Sequence, residues 1–140
     1  MLKAVLDTSI LVSAFLKHEG LNAKVLRKAK DKYHLYLSEH ILEETSEVLL
    51  TYHRIRKKYL YSDDEAREYL ASLRIVARRV LKKLPEIKVI EEDPKDDPVL
   101  ASAFKAKADY LVSKDEHLRK LKEYRGIKIV SSQEFLEITG

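Results

Sequence analysis

The sequence has no cysteine and only three glycines, and these two shortages exclude several classes of protein. Without cysteine there are no disulfides, no zinc fingers and no thiol chemistry. Gly20, Gly126 and Gly140 are too far apart for a phosphate-binding Walker A loop or a dinucleotide-binding GxGxxG motif. No GxSxG segment marks a serine nucleophile. The sequence therefore favours neither a nucleotide-cofactor enzyme nor a serine hydrolase.

Long apolar runs are also missing. No stretch approaches the roughly 20 apolar residues that span a membrane, and Met1 leads directly into a strand-like segment without the features of a signal peptide. These features predict a cytoplasmic protein that does not contact a membrane. Asn, Gln, Met and Cys are scarce while Lys and Glu are abundant, which is typical of hyperthermophile proteins, so we expect a thermophilic source.

What remains is a highly charged chain with enough apolar residues to form a core. Hydrophobic residues make up 45% of the 140 residues, which predicts a single domain spanning residues 1–140. Lys and Arg number 27 against 23 Asp and Glu, a net charge of +4. This excess suits a polyanionic substrate, although a well-solvated surface would show the same balance.

Short apolar strands alternate with amphipathic helices along the chain. Strands are predicted at 2–6, 34–38, 87–90, 110–113 and 127–130. Helices are predicted at 9–17, 21–32, 39–52, 63–84, 98–107, 115–123 and 132–138. The basic and aromatic segment 53–62 shows no clear period. This alternation predicts an α/β fold in which helices cover both faces of a parallel sheet.

Acidic residues follow two of the predicted strands at their carboxyl ends. Asp7 ends the first strand, and Asp115 comes two residues after the strand at 110–113. Parallel sheets bind ligands outside the carboxyl ends of their strands, so these two carboxylates are predicted to share one crevice. Each also stands at the start of a predicted helix, where an aspartate can serve as an N-cap instead.

Two further acids, Asp97 and Glu44, are candidates for the same crevice. Asp97 precedes a proline at a helix start, so it too is a ready N-cap, and its neighbours Asp93 and Asp96 are alternative ligands. Glu44 borders the apolar face of its helix, whereas Glu43 points nearly opposite to that face. A carboxylate at the border can reach into a crevice, although a solvated surface helix would carry the same acids.

Several carboxylates gathered in one crevice repel each other unless a cation joins them. A divalent-metal site is therefore the first hypothesis about function. Carboxylate oxygens suit Mg²⁺ or Mn²⁺. Zn²⁺ is disfavoured because the five histidines show no paired metal-ligand spacing.

Four motifs occur in family order along most of the chain, at residues 5–14, 37–44, 93–101 and 110–115. Together they resemble the PIN-domain family of metal-dependent ribonucleases, and most of all its VapC-like toxins. The resemblance implies a three-layer α/β/α sandwich with a central, mainly parallel sheet. It also implies a complete active site, because an acid stands at each of the four positions where the family has one.

The resemblance assigns metal binding and catalysis to four acids, namely Asp7, Glu44, Asp97 and Asp115. It puts Ser9 and Ser113 at polar positions near the first and the fourth acid, where hydroxyl groups can orient carboxylates. Two choices stay open. Glu43 is an alternative second acid because Thr45 replaces the usual leucine, and Asp96 is an alternative third acid.

The implied reaction is hydrolysis of an RNA phosphodiester with one or two Mg²⁺ or Mn²⁺ ions. The implied partners are RNA, an antitoxin protein and a second copy of the chain in a homodimer. Basic residues interleaved with tyrosines are candidate RNA contacts, at Arg54, Arg56, Lys57 and Lys58. An exposed connecting segment or a dimer surface would explain them equally well. The alternative function is a non-catalytic RNA-binding or assembly module of PIN fold.

Overall fold

The computed structural model describes residues 1–90 and 94–140 of the chain. Its strands are β1 (Leu2–Leu6), β2 (Tyr33–Ser38), β3 (Arg79–Leu81), β4 (Tyr110–Val112), β5 (Glu123–Tyr124) and β6 (Ile127–Val130). Its α-helices are α1 (Thr8–Leu16), α2 (Leu21–Arg27), α3 (Glu39–Thr51), α4 (His53–Lys58), α5 (Asp63–Val76), α6 (Asp97–Ala106), α7 (Glu116–Leu121) and α8 (Ser132–Thr139). A 3-10 turn at Pro94–Asp96 precedes α6.

The strands form one sheet in the order β3-β2-β1-β4-β6-β5. Every neighbouring pair is parallel except β5 and β6, so the predicted mainly parallel sheet is confirmed. From β1 the chain proceeds to β2 and β3 on one side, and it then returns to β4 and β6 on the other. Right-handed crossovers therefore put α1 to α5 on one face and α6 and α7 on the opposite face. The predicted three-layer α/β/α arrangement is confirmed.

The two central strands, β1 and β4, are buried on both faces. Val5, Leu6, Leu111 and Val112 are fully excluded from solvent. The pairing register sets Leu6 beside Val112 at the carboxyl ends of the strands. Continuous apolar strands of this kind need helices on both faces, and α6 packs directly against the sheet while α1 packs against α2 and α3. The residues that follow β1 and β4 consequently start from fixed positions.

One predicted helix is shorter than its amphipathic pattern indicated. The helix expected at 63–84 ends at Val76, and Arg79–Leu81 forms the edge strand β3 instead. The backbone N–H of Arg78 donates to the carbonyl of Leu35, and β3 then pairs with β2. The strand expected at 87–90 is not formed. The edge of β2 pairs with residues 79–81 and not with 87–90. This pairing forms because backbone groups in a sheet need hydrogen-bond partners.

Smaller differences concern the remaining connections. The segment 53–62, which has no clear period, contains the short helix α4. The helix expected at 21–32 ends at Arg27, and the antiparallel strand β5 was not predicted. Among the described helices, none has both the length and the apolar character to cross a membrane.

Truncation of Leu111 should measure how much the central strand stabilises the fold. Leu111 is 0% exposed, so Leu111→Ala is expected to lower the free energy of unfolding by about 2–5 kcal/mol through lost burial and the cavity left behind. Leu60 is 92% exposed, and Leu60→Ala is the matched control, with a change below about 0.5 kcal/mol. Urea unfolding measures both; equal losses would contradict a central position for β4.

Candidate active site at the carboxyl edge of the sheet

A cleft of about 390 Å³ opens at the carboxyl edge of the sheet, next to the ends of β1 and β4. It is lined by Asp7, Thr8, Ser9, Glu44, Asp96, Val99, Lys114 and Asp115. The strand order reverses between β1 and β4, and the crevice at such a reversal is where open α/β sheets bind ligands. The structure thus brings together three of the four acids singled out by the sequence, and it adds Asp96.

Asp7 is buried, with 6% of its surface exposed. It occupies the N-cap position of α1, but its side chain forms no capping hydrogen bond. Instead its Oδ2 accepts a hydrogen bond of 2.7 Å from the hydroxyl of Ser113. Burial raises the pKa of the Asp7 carboxyl, the Ser113 hydrogen bond opposes this shift, and the nearby Glu44 and Asp115 carboxylates add to it. The carboxylate therefore faces the cleft, in a place where its negative charge is unfavourable without a cation.

Ser113 connects the acids that follow the two central strands. Its hydroxyl donates to Asp7, and the same oxygen accepts a bond of 3.0 Å from the backbone N–H of Asp115. Ser9 was expected to play a similar orienting role. Ser9 lines the cleft, but its buried hydroxyl oxygen forms no hydrogen bond within the described part of the chain.

Asp115 both caps a helix and lines the cleft. Its Oδ1 accepts from the backbone N–H groups of His117 at 2.8 Å and Leu118 at 3.3 Å, which lie in the first turn of α7. The two alternatives considered from the sequence are therefore compatible. A carboxylate has a second oxygen with its own lone pairs, which remains for a ligand while the first holds the helix.

Glu44 is held toward the end of β1. The hydroxyl of Thr8 donates to its Oε1 at 2.9 Å, and the Nε2 of His40 lies 3.4 Å from the same oxygen. Glu43 is exposed and does not line the cleft within the described structure. Thr8 directly follows Asp7, so the turn from β1 into α1 both presents Asp7 and holds the side chain of Glu44 from α3.

The adjacent aspartates 96 and 97 have different environments. Asp97, expected to be the third acid, accepts backbone N–H bonds on its Oδ1 from Val89 at 3.1 Å and Ile90 at 2.9 Å. It does not line the acidic cleft within the described structure, whereas Asp96 does and is 8% exposed. The 3-10 turn before α6 directs Asp96 inward and leaves Asp97 to tie down the preceding segment. The other alternative, Asp93, lies outside the described residues.

Two side chains that line the cleft and a third beside them have the donor atoms that a divalent ion requires. Asp96, Asp115 and His117 each offer one ligand atom, and these atoms lie within 4.8 Å of one another. The two carboxylates are suitable ligands for Mg²⁺ or Mn²⁺, and the added imidazole favours Mn²⁺, the softer of the two ions. His117 was not among the residues predicted from the sequence, because no second histidine stands at a paired metal-ligand spacing from it. The spacing of one residue between Asp115 and His117, at a helix start, was the available signal.

In the described structure, the basic segment expected to contact RNA does not line this cleft. Arg56 is engaged internally, because its guanidinium pairs with Asp63 at 2.6 Å, donates to the carbonyl of Leu49 at 3.1 Å and stacks over the ring of Tyr61. Its exposed neighbours on α4 do not line the cleft in the described structure, and they are Arg54, Lys57 and Lys58. The cation that does line it is Lys114, which was not among the candidates.

The fold and the cleft define an α/β protein with acids gathered where its strand order reverses. The sequence family described as PIN domain matches residues 3–117, and the chain belongs to this family. Among solved structures it is similar to a chain of VapBC2 from Rickettsia felis, solved bound to a DNA fragment from their promoter. That likeness has a TM-score of 0.63 and 13% identity, and it covers 93% of this chain and 98% of the other. No curated protein matches the sequence.

The buried charge of Asp7 predicts a pH-dependent stability in metal-free protein. The pKa of Asp7 in the folded state is raised above its value in the unfolded chain, which is about 3.9. The stability of the wild type therefore falls as pH rises from the unfolded-state pKa through the folded-state pKa. In EDTA at pH 7, Asp7→Asn is therefore expected to melt at a higher temperature than the wild type. The advantage should shrink as pH falls toward about 4, where Asp7 is protonated in both states.

Circular dichroism melting curves between pH 4 and 7 measure this difference. Asp31→Asn, at an exposed aspartate, is the matched control and should show no comparable gain. An Asp7→Asn advantage that grows as pH falls would contradict the assignment.

The two backbone bonds of Asp97 predict a structural role for this residue. Asp97→Ala removes the carboxylate that accepts hydrogen bonds from the backbone N–H groups of Val89 and Ile90. This substitution should lower the free energy of unfolding by about 1–3 kcal/mol. Asp97→Asn keeps an acceptor oxygen at the same place and should cost less. Chemical denaturation measures both variants, and an unchanged stability in Asp97→Ala would refute the role.

Proposed function

We propose that the chain is a divalent-metal-dependent endoribonuclease and the toxin of a toxin–antitoxin pair. The observation that carries this proposal is the convergence of four acids in one cleft at the reversal of strand order, namely Asp7, Glu44, Asp96 and Asp115. Membership of the PIN-domain family supports nuclease activity. The chain has a net charge of +4, and four of its 23 acids line this cleft, so the remaining residues carry a larger positive excess. Such an excess suits a polyanionic substrate.

In this proposal Asp7, Asp96 and Asp115 hold Mg²⁺ or Mn²⁺, and His117 is available as a further ligand. The bound ion would lower the pKa of a water molecule and neutralise charge on the scissile phosphate. Asp96 takes the place that the sequence analysis gave to Asp97. The raised pKa of Asp7 supports this arrangement, because a cation would relieve the cost of its buried charge.

The remaining polar residues of the cleft position the reactants. Ser113 fixes the orientation of Asp7, and Thr8 fixes that of Glu44. Glu44 orients the attacking water and accepts its proton. The water oxygen bonds to phosphorus as the bond from phosphorus to the 3′ oxygen breaks. The leaving 3′ oxygen takes a proton from solvent, which gives the 5′-phosphate and 3′-hydroxyl products that the family resemblance implies. Lys114 faces the same cleft and attracts the phosphate.

Cleavage of single-stranded RNA with Mg²⁺ or Mn²⁺ tests the catalytic proposal. Cleavage should stop in EDTA and in Asp7→Asn and Asp115→Asn, and Glu44→Gln should lower the rate by about 100-fold or more. Cleavage that persists in EDTA, or in the aspartate variants, would refute a metal-dependent site. RNA binding without any cleavage would favour the non-catalytic module instead.

The adjacent pair Asp96 and Asp97 offers a matched comparison. Asp96→Asn should abolish cleavage and weaken Mn²⁺ binding, measured by titration calorimetry, because it removes a ligand. Asp97→Asn should leave both largely intact, because that carboxylate contacts backbone N–H groups outside the cleft. The reverse result would restore Asp97 as the third acid.

The similarity to a chain of VapBC2 supports an antitoxin partner. We expect the partner to cover the acidic cleft and to place an Arg or Lys side chain against its carboxylates. Expression of the wild-type chain alone should arrest bacterial growth, while Asp96→Asn should not. Equal growth with both chains would argue against a toxin. Light scattering of the purified chain would test the homodimer expected by family analogy.

A further inference from the structure

We propose that a groove beside the acidic cleft binds the RNA nucleotide next to the scissile phosphate. The inference rests on the proposed nuclease function and adds where the substrate strand lies. The flanking groove has a volume of about 370 Å³. It is lined by Leu21, Asn22, Ser113, Lys114, Arg119, Ser131, Ser132 and Gln133.

The flanking groove adjoins the acidic cleft at Lys114. Lys114 lines both of them. Ser113 lines the groove, and its hydroxyl bonds the carboxylate of Asp7 in the cleft. A strand whose phosphate sits among the acids therefore has the groove beside it.

The two depressions carry opposite charge. The cleft is lined by four acids and a single cation, whereas in the described structure no acidic side chain lines the groove, and Lys114 and Arg119 do. A phosphate at the acids needs a metal ion to be held there. The neighbouring phosphate has no such ion, so it needs a surface that offers cations and lacks carboxylates. The lining of the flanking groove meets this requirement directly beside the cleft, with Glu134 outside that lining but within electrostatic reach of Arg119.

Lys114 is placed to link the two depressions. Its Nζ donates to the hydroxyl of Ser13 at 2.8 Å, which fixes the ammonium group at the boundary. An ammonium group has three donors, so two remain for phosphate oxygens. Arg119 is exposed on α7, and its guanidinium can bind a phosphate through two parallel hydrogen bonds.

The other lining residues suit a base and a sugar. Leu21 is 48% exposed and offers an apolar surface to one face of a base. Asn22 accepts a hydrogen bond from the hydroxyl of Ser132, which fixes its amide, and the exposed Gln133 offers a second amide. Amide groups donate to and accept from base edges and the 2′-hydroxyl, and such contacts are how proteins recognise single-stranded RNA.

A charge reversal at Arg119 tests the groove, and its neighbour Lys120 is the matched control. Both side chains are exposed on α7, but Lys120 does not line the groove. Fluorescence anisotropy with a labelled single-stranded RNA and Mn²⁺ measures binding, with each variant made in the Glu44→Gln background that slows cleavage. Arg119→Glu should raise Kd by about tenfold, and Lys120→Glu should raise it less than about threefold. Arg119→Ala should flatten the slope of log K against log salt by about 0.7, the value for one phosphate contact on a single strand.

The outcomes separate this inference from the proposed function. Equal effects of Arg119→Glu and Lys120→Glu would overturn the groove, while loss of cleavage in Asp96→Asn would leave the nuclease proposal standing. A larger effect of Lys57→Glu on α4 would also overturn it. Failure of the wild-type chain to bind or cleave RNA would refute both. Arg119→Gln is the control for misfolding. It should keep the melting temperature of the wild type and weaken RNA binding less than Arg119→Glu.

Discussion

The hydrogen bond between Ser113 and Asp7 is the contact on which the acidic cleft depends. It joins the residues that directly follow β1 and β4, whose register is set by the pairing of Leu6 with Val112. The backbone extends this link, because the N–H of Asp7 donates to the carbonyl of Val112. A buried carboxylate is costly unless hydrogen bonds or a cation stabilise it. The central strands hold Asp7 rigidly in this place, because the residues at their carboxyl ends are completely buried.

The other acids reach the same cleft through different local devices. Glu44 comes from α3 and accepts a hydrogen bond from the Thr8 hydroxyl. Asp115 caps α7, and its backbone N–H donates to the hydroxyl of Ser113. Asp96 is the last residue of a 3-10 turn. Each device leaves the carboxylate beside the point where strand order reverses. The arrangement gathers negative charge that only a cation neutralises, which suits the PIN-domain family to which the chain belongs.

The cleft and the flanking groove divide two requirements of one substrate between them. A scissile phosphate needs a metal ion, and the metal ion needs carboxylates, yet carboxylates repel the rest of the strand. The groove removes this conflict by presenting Lys114 and Arg119 where acids are absent from the described lining. The segment at 54–58 was the more obvious basic candidate in the sequence, but Arg56 stabilises the packing of α4 and α5 through Asp63.

The sequence by itself determined the α/β class, the mainly parallel sheet and the positions of Asp7 and Asp115, because these follow from local patterns and from the ends of strands. Tertiary structure decided between alternatives that local sequence patterns could not distinguish. Asp96 and Asp97 are adjacent acids at one helix start, and only the turn before α6 and the N–H groups at 89–90 separate their directions. Likewise 79–81 continued a helical pattern and became β3, because the distant edge of β2 required a partner. Contacts between segments far apart in the chain made these choices, and such contacts leave no periodic trace in the sequence.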